Sequence, residues 1–137
     1  MLPGKEEFVP TSEATTNGIR IQVQSTYIPE RSQPEQSQWF FAYNVRIANE
    51  GKESTQLISR HWVITDANGH VEEVKGPGVV GKQPILAPGD SFEYTSFCPL
   101  PTPFGTMHGS YEMLTSSGKR FAAEIAQFSL AEPHAIN

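Results

Sequence analysis

Cysteine is nearly absent from this chain. A single one, Cys98, stands among 137 residues, so there is no internal disulfide framework and the composition suits a reducing compartment. Long apolar runs are missing too. Nothing approaches the roughly 20 residues that a membrane-spanning helix requires, and Met1 to Glu7 lacks the basic start and apolar stretch of a signal peptide. These features together point to a cytoplasmic protein without membrane insertion. Positive charge is also scarce: ten Lys and Arg stand against fifteen Asp and Glu, for a net charge of -5. Phosphate neutralisation dominates affinity for nucleic acids, so a chain with no Lys/Arg cluster is not expected to bind them. Finally, no segment carries a convincing helical periodicity.

What is present is alternation. Hydrophobic residues make up 37% of the chain and aromatics 10%, enough for the core of one domain. Residues 1–17 are polar and broken by Pro3, Gly4 and Pro10, which predicts a loose arm, and residues 131–137 read as a tail. Between them Ile19, Ile21 and Val23 share one face of a first strand. Phe41, Tyr43, Val45 and Ile47 do the same after a polar loop from Arg31 to Gln38. Leu57 to Thr65 then runs through Asp66-Ala67-Asn68-Gly69 into Val71 to Val74, a hairpin marked by Asn-Gly. Ser91 to Phe97 is a further strand, and Cys98 to Gly105 holds three alternate prolines that exclude an interior strand. Thr106 to Thr115 and Arg120 to Leu130 form a closing hairpin. Seven or eight short antiparallel strands at regular spacing predict an all-β fold, an immunoglobulin- or fibronectin-III-like β-sandwich over residues 18–130.

One motif competes with that reading. Gly76, Gly78 and Gly81 satisfy G-x-G-x-x-G, the pattern of a dinucleotide-binding turn, with Lys82 beside them. The turn works only where a strand feeds a helix whose first amides meet a pyrophosphate. Pro84 and Pro88 follow within a few residues and deny any long helix a start. The segment is therefore expected to be a loop between strands.

The order of blocks is similar to that of the ApaG family. Arg60 to Gly69, Glu73 to Pro84, Leu86-Ala87-Pro88-Gly89, Tyr94-Thr95-Ser96 and Pro99 to Met113 carry the resemblance, which spans about Gly18 to Leu130. It implies a fibronectin-III-like sandwich. It also implies an association with cobalt and magnesium efflux phenotypes and, from fusions of the same domain in eukaryotic relatives, a protein-binding role.

Candidate chemistry is sparse. His61, His70, His108, His134 and Cys98 show no short metal-ligand spacing, so no metal and no cofactor is expected. Cys98, between Phe97 and Pro99, has no base near it in sequence, and Asp66 fits a turn residue better than a catalytic acid. Ser110 and His108 lack an acid at triad spacing. A non-catalytic interaction or regulatory domain is the expectation, with an unidentified protein partner and a monomeric or homodimeric state. Arg60, Trp62, Pro99, Pro101 and Phe104 are the candidate contact residues, since Arg, exposed aromatics and stiff proline segments favour docking. The alternative is a soluble accessory binding a divalent metal or a phosphorylated nucleotide at Gly76, Gly78, Gly81 and Lys82.

Overall fold

A computed structural model of the chain describes residues 8–133. Nine strands appear among them: β1 (Ser12–Thr16), β2 (Ile19–Tyr27), β3 (Trp39–Asn49), β4 (Thr55–Asp66), β5 (Val71–Pro77), β6 (Ile85–Leu86), β7 (Ser91–Leu100), β8 (Phe104–Thr115) and β9 (Arg120–Ala131). They form two antiparallel sheets, β1-β2-β3-β7 and β5-β4-β8-β9, with the short β6 added to β4. This is the β-sandwich that the alternation predicts. Helical structure among the described residues is confined to two single 3-10 turns, Pro29–Arg31 and Pro34–Gln36, and none of it is long or apolar enough to cross a membrane.

Two strands escaped the sequence pattern. Ser12–Thr16, assigned above to a loose arm, is paired along its whole length with β2, from Ser12 opposite Val23 to Thr16 opposite Ile19. Its side chains are polar, so no apolar period announces it; backbone pairing to an otherwise bare β2 edge is what orders it. The remainder of the expected arm over residues 1–7, and residues 134–137 of the tail, lie outside the described residues. The other missed strand, β6, has only two residues, too few for any periodicity.

The core follows the alternation where register is continuous. Ile19, Ile21 and Val23 from β2 and Phe41, Tyr43, Val45 and Ile47 from β3 are buried and face Leu57, Trp62, Tyr111 and Met113 of the other sheet. The period breaks twice. Leu57 pairs with Met113 while Ser59 pairs with Glu112, so Ile58 is an extra residue in β4. In β9 the buried set changes from Ala123 and Ile125 to Phe128 and Leu130, where the β8–β9 register shifts between Met107 and Gly109. A bulge of one residue reverses which side chains face the core.

The Ile58 bulge also sets which side chains of β4 reach the interior. It turns Arg60, Trp62, Ile64 and Asp66 toward the space between the sheets and leaves His61 and Val63 on the outer side.

Candidate functional site: the open side of the sandwich

One long side of the sandwich is closed. There β1 and β2 lie against β9, and the seam is stitched by Ser25, which donates to the Ser129 carbonyl at 2.7 Å, and by the Glu124 amide, which donates to Thr16 Oγ1 at 3.1 Å. The opposite side ends in β7 of one sheet and β5 of the other, each bonded to one neighbour only. Between these two edges lies a cleft of about 490 Å³. Its floor is Tyr43, Trp62 and Met107; β5 contributes Glu72 and Val74, and β7 contributes Ser96, Cys98 and Leu100.

Arg60 sits at the end of this cleft nearest the glycine segment. Its guanidinium nitrogen Nη1 donates to the carbonyl oxygens of Pro77 and Gly78, each at 2.9 Å. To do so it crosses Gly76, its cross-strand partner, where any Cβ would come within 2.9 Å of Nη2. The bare backbone of Gly76 lets the guanidinium lie flat across it, and a side chain there would make Arg60 shift.

The rest of the segment forms a tight reversal. Val79 and Lys82 exchange amide-to-carbonyl bonds of 2.8 and 2.9 Å across Val80 and Gly81, whose φ values of 44° and 79° are those of a two-residue hairpin turn with both central residues left-handed. The Gly78 amide donates to Ile58 O at 2.9 Å, and a Cβ on Gly78 would overlap the Lys82 carbonyl oxygen. The amides of Gly78, Val79 and Lys82 are thus committed within the protein, and the carbonyls of Pro77 and Gly78 are turned onto Arg60. No helix follows. Val80 is unusual: a β-branched residue with positive φ costs conformational energy, and it is 54% exposed beside a smaller hollow that shares Tyr43, Arg60, Trp62 and Ser96 with the main cleft.

Beneath Arg60 lie three tyrosines. The hydroxyls of Tyr94 and Tyr111 bond to each other in the core. Burial pushes the ionisation of Tyr43, Tyr94 and Tyr111 upward, and the positive charge of Arg60 opposes that rise only weakly. Cys98 is buried close by. Desolvation, with a smaller push from the charge of Glu72, raises its thiol to about 11, so at neutral pH it is a protonated and unreactive group.

At the far end of the cleft Asp66 acts as the turn residue its sequence context predicts. Its Oδ1 accepts from the amides of Asn68 at 2.9 Å and His70 at 3.0 Å. His61, on the outer face, pairs with Glu73 at 2.7 Å, and this contact lowers the Glu73 carboxyl below its ordinary range. His108 is exposed, and His134 is outside the described residues. Among the described residues no three His, Cys, Asp or Glu side chains gather in a way that would hold a metal ion.

The structure therefore brings Arg60, Trp62, Pro99 and Pro101 to one cleft and sets the glycine turn against its end. Trp62 is only 2% exposed; it packs edge-on against Tyr43, Tyr111 and Phe128, with centroids 5.2 to 6.3 Å apart. It forms the floor of the cleft and cannot project as a contact anchor. Phe104 opens β8 opposite Ala131 and does not line the cleft. Sequence reasoning did not single out Phe97, which is 48% exposed at the lip, stacked on Phe40 at 5.5 Å and beneath the Arg31 guanidinium. Its advance signals were a number of aromatics large for one core and an apolar residue on the polar face of an alternating strand.

Comparison with known proteins gives a consistent result. The family model for the ApaG domain matches residues 29–115. Protein ApaG of Rhodospirillum centenum is 56% identical over 119 residues, covering 87% of this chain and 92% of that one. Protein ApaG of Methylobacterium radiotolerans is 57% identical over 122 residues, 89% of this chain and 94% of the other. A crystal structure from Bordetella pertussis, described as ApaA, superimposes with a TM-score of 0.83 at 54% identity over 85% of this chain and 94% of its own. A β-glucuronidase of Bacteroides uniformis, 13% identical with a TM-score of 0.53, shares the fold alone over 13% of its length.

Proposed function

This chain belongs to the ApaG family, and from that premise we propose that it is a non-catalytic interaction domain that receives a protein partner along the open side of its sandwich. The observation that carries this reading is the pair of unpaired strand edges, β5 and β7, facing each other across a cleft with an apolar lip. An edge strand offers a row of free backbone groups that an extended chain can match. Val74, 39% exposed, and Phe97 flank the opening and supply apolar area of the kind that drives docking.

The chemistry of the cleft favours binding over turnover. Its one thiol is protonated at neutral pH, the Asp66 carboxylate is engaged in a turn, and the tyrosines beneath Arg60 are held neutral by burial. In this reading any effect on cobalt or magnesium efflux is exerted through the partner. Such a regulatory role fits a chain with one reduced cysteine acting in the cytoplasm.

The experiment is a comparative capture from extract. Tagged wild-type chain and a Val74→Lys, Phe97→Asp variant are used side by side, after circular dichroism has established that both fold. Proteins retained by the wild type and lost from the variant are the expected result. An identical set on both, or no reproducible partner on either, would remove the open side from consideration.

A further inference from the structure

Arg60 is positioned but not neutralised. Nη1 is committed to the Pro77 and Gly78 carbonyls, yet no carboxylate among the described residues forms an ion pair with this arginine. Nε and Nη2 have no acceptor in the protein among those residues, and neither is a buried orphan. Two donor positions of a fixed planar fork are therefore open to solvent where Arg60 lines the cleft. Fixing the fork in advance removes much of the entropy that an arginine loses when it grips an oxyanion.

The opposite end of the cleft carries the opposite charge. Arg60, Trp62, Ile64 and Asp66 follow one another on the inner side of β4, and Glu72 stands across from Ile64 on β5. Six residues of strand separate Arg60 from Asp66, which is about 20 Å at the usual rise. Trp62 and Val74 make an apolar stretch between the two ends. The cleft is thus bipolar, and its length is that of six extended residues.

We propose that this cleft takes an extended segment of the partner protein, with a carboxylate on Arg60 and a basic side chain about six residues away against Asp66 and Glu72. The proposal rests on reading the open side as a docking surface and names the chemistry it accepts. The carboxylate is either a chain terminus or an acidic side chain, since both present the same pair of oxygens to Nε and Nη2. A phosphate dianion is disfavoured, because a single arginine faces its double charge and the chain as a whole carries a net charge of -5.

The test uses a panel of fluorescein-labelled hexapeptides with lysine first, valine, leucine or phenylalanine at alternate middle positions, and a free carboxyl terminus. Anisotropy against the intact chain is followed to millimolar concentration. Saturable binding is expected for members of the free-acid panel, weakened about tenfold by terminal amidation, an effect on the scale of one charge-assisted bond. Restored binding by an amidated peptide ending in glutamate would assign the carboxylate to a side chain, and failure to restore it to a terminus; both support the proposal. Because Arg60 also secures the glycine turn, the decisive variant is Glu72→Lys, at an exposed position. It should invert the preference, favouring peptides with glutamate in place of the first lysine.

Equal binding of acid and amide overturns the carboxylate clamp while leaving the docking reading intact. Inorganic phosphate competing better than the peptides, or an unchanged preference in Glu72→Lys, also overturns it. If no panel member binds although Val74→Lys, Phe97→Asp still strips partners from the wild-type set, this proposal fails and the broader one survives.

Discussion

The guanidinium of Arg60 donates to the carbonyl oxygen of Gly78 at 2.9 Å through the same nitrogen that serves Pro77. A single side chain of β4 thereby pins the end of β5 and the start of the glycine turn. The pin exists only because Ile58 is an extra residue in β4, which swings Arg60 inward.

Removing that pin should be costly. Arg60→Ala leaves two carbonyls without their charged donor in a half-buried setting, where such bonds contribute about 1.5–3 kcal/mol. The expected loss is roughly 2 kcal/mol in urea unfolding, and Arg60→Lys should recover part of it. A loss below about 0.5 kcal/mol for the alanine variant would show that the turn holds itself.

The glycine turn separates steric from conformational requirements. Gly78→Ala meets the Lys82 carbonyl as well as a positive φ of 61°, whereas Gly81→Ala, at φ 79°, finds open space. The first should destabilise by more than about 2 kcal/mol and the second by about 1, the ordinary cost of left-handed backbone. Val80→Asn should stabilise by up to about 1 kcal/mol, since Asn tolerates this conformation and Val80 loses little burial. Thermal unfolding of the three variants ranks them, and any other order would contradict this account of the turn.

The Tyr94–Tyr111 pair is a self-contained test of buried polar satisfaction. Tyr111→Phe leaves the Tyr94 hydroxyl without its partner inside the core, at a cost of about 1–3 kcal/mol. Tyr94→Phe does the reverse. The double variant removes both polar groups and should be less destabilised than the sum of the singles, with a coupling of about 1 kcal/mol or more. Strict additivity in a double-mutant cycle would show that the two hydroxyls act independently.

Stability should fall at alkaline pH. Folding holds the neutral form of Cys98, raising its thiol from an ordinary value of 9.0 to about 11, and does the same in direction for Tyr43, Tyr94 and Tyr111. Each such group contributes its full stabilisation below its unfolded pKa. The contribution is lost as pH rises toward the folded value, because the unfolded chain ionises first. Cys98 thus accounts for a decline between about pH 9 and 11 of roughly 2–3 kcal/mol, and the tyrosines add to it above about pH 10. Urea midpoints from pH 8 to 11 should fall less steeply for Cys98→Ala than for wild type below pH 10. Parallel curves would contradict the assigned burial of the thiol. At pH 8 the folded chain should also resist a thiol reagent that labels it quickly in urea.

How much of this was legible in advance depends on the range of the interaction concerned. Alternation of apolar residues over Ile19–Val23 and Phe41–Ile47 is a local property of the chain, and it named both faces of β2 and β3 correctly. Asn68-Gly69 and the prolines after Gly81 act through their own backbone angles, so the hairpin and the absence of a helix behind the glycines were likewise readable.

Three matters lay beyond local chemistry. The single-residue bulges in β4 and β9 reverse facing through pairing with strands distant in sequence, and that reversal decides that Arg60 and Trp62 turn inward together. β1 has no apolar period and owes its order to the free edge of β2. The cleft itself belongs to neither sheet: it arises because β1 and β2 close one side against β9 while β5 and β7 remain apart on the other. Sequence by itself determined the seven longer strands and the turns between them, since these follow from short-range steric and hydrophobic preferences, and the order of its blocks pointed to the family. Tertiary structure alone decided which face each strand buries after a bulge, and therefore where an arginine with open donors stands in the fold.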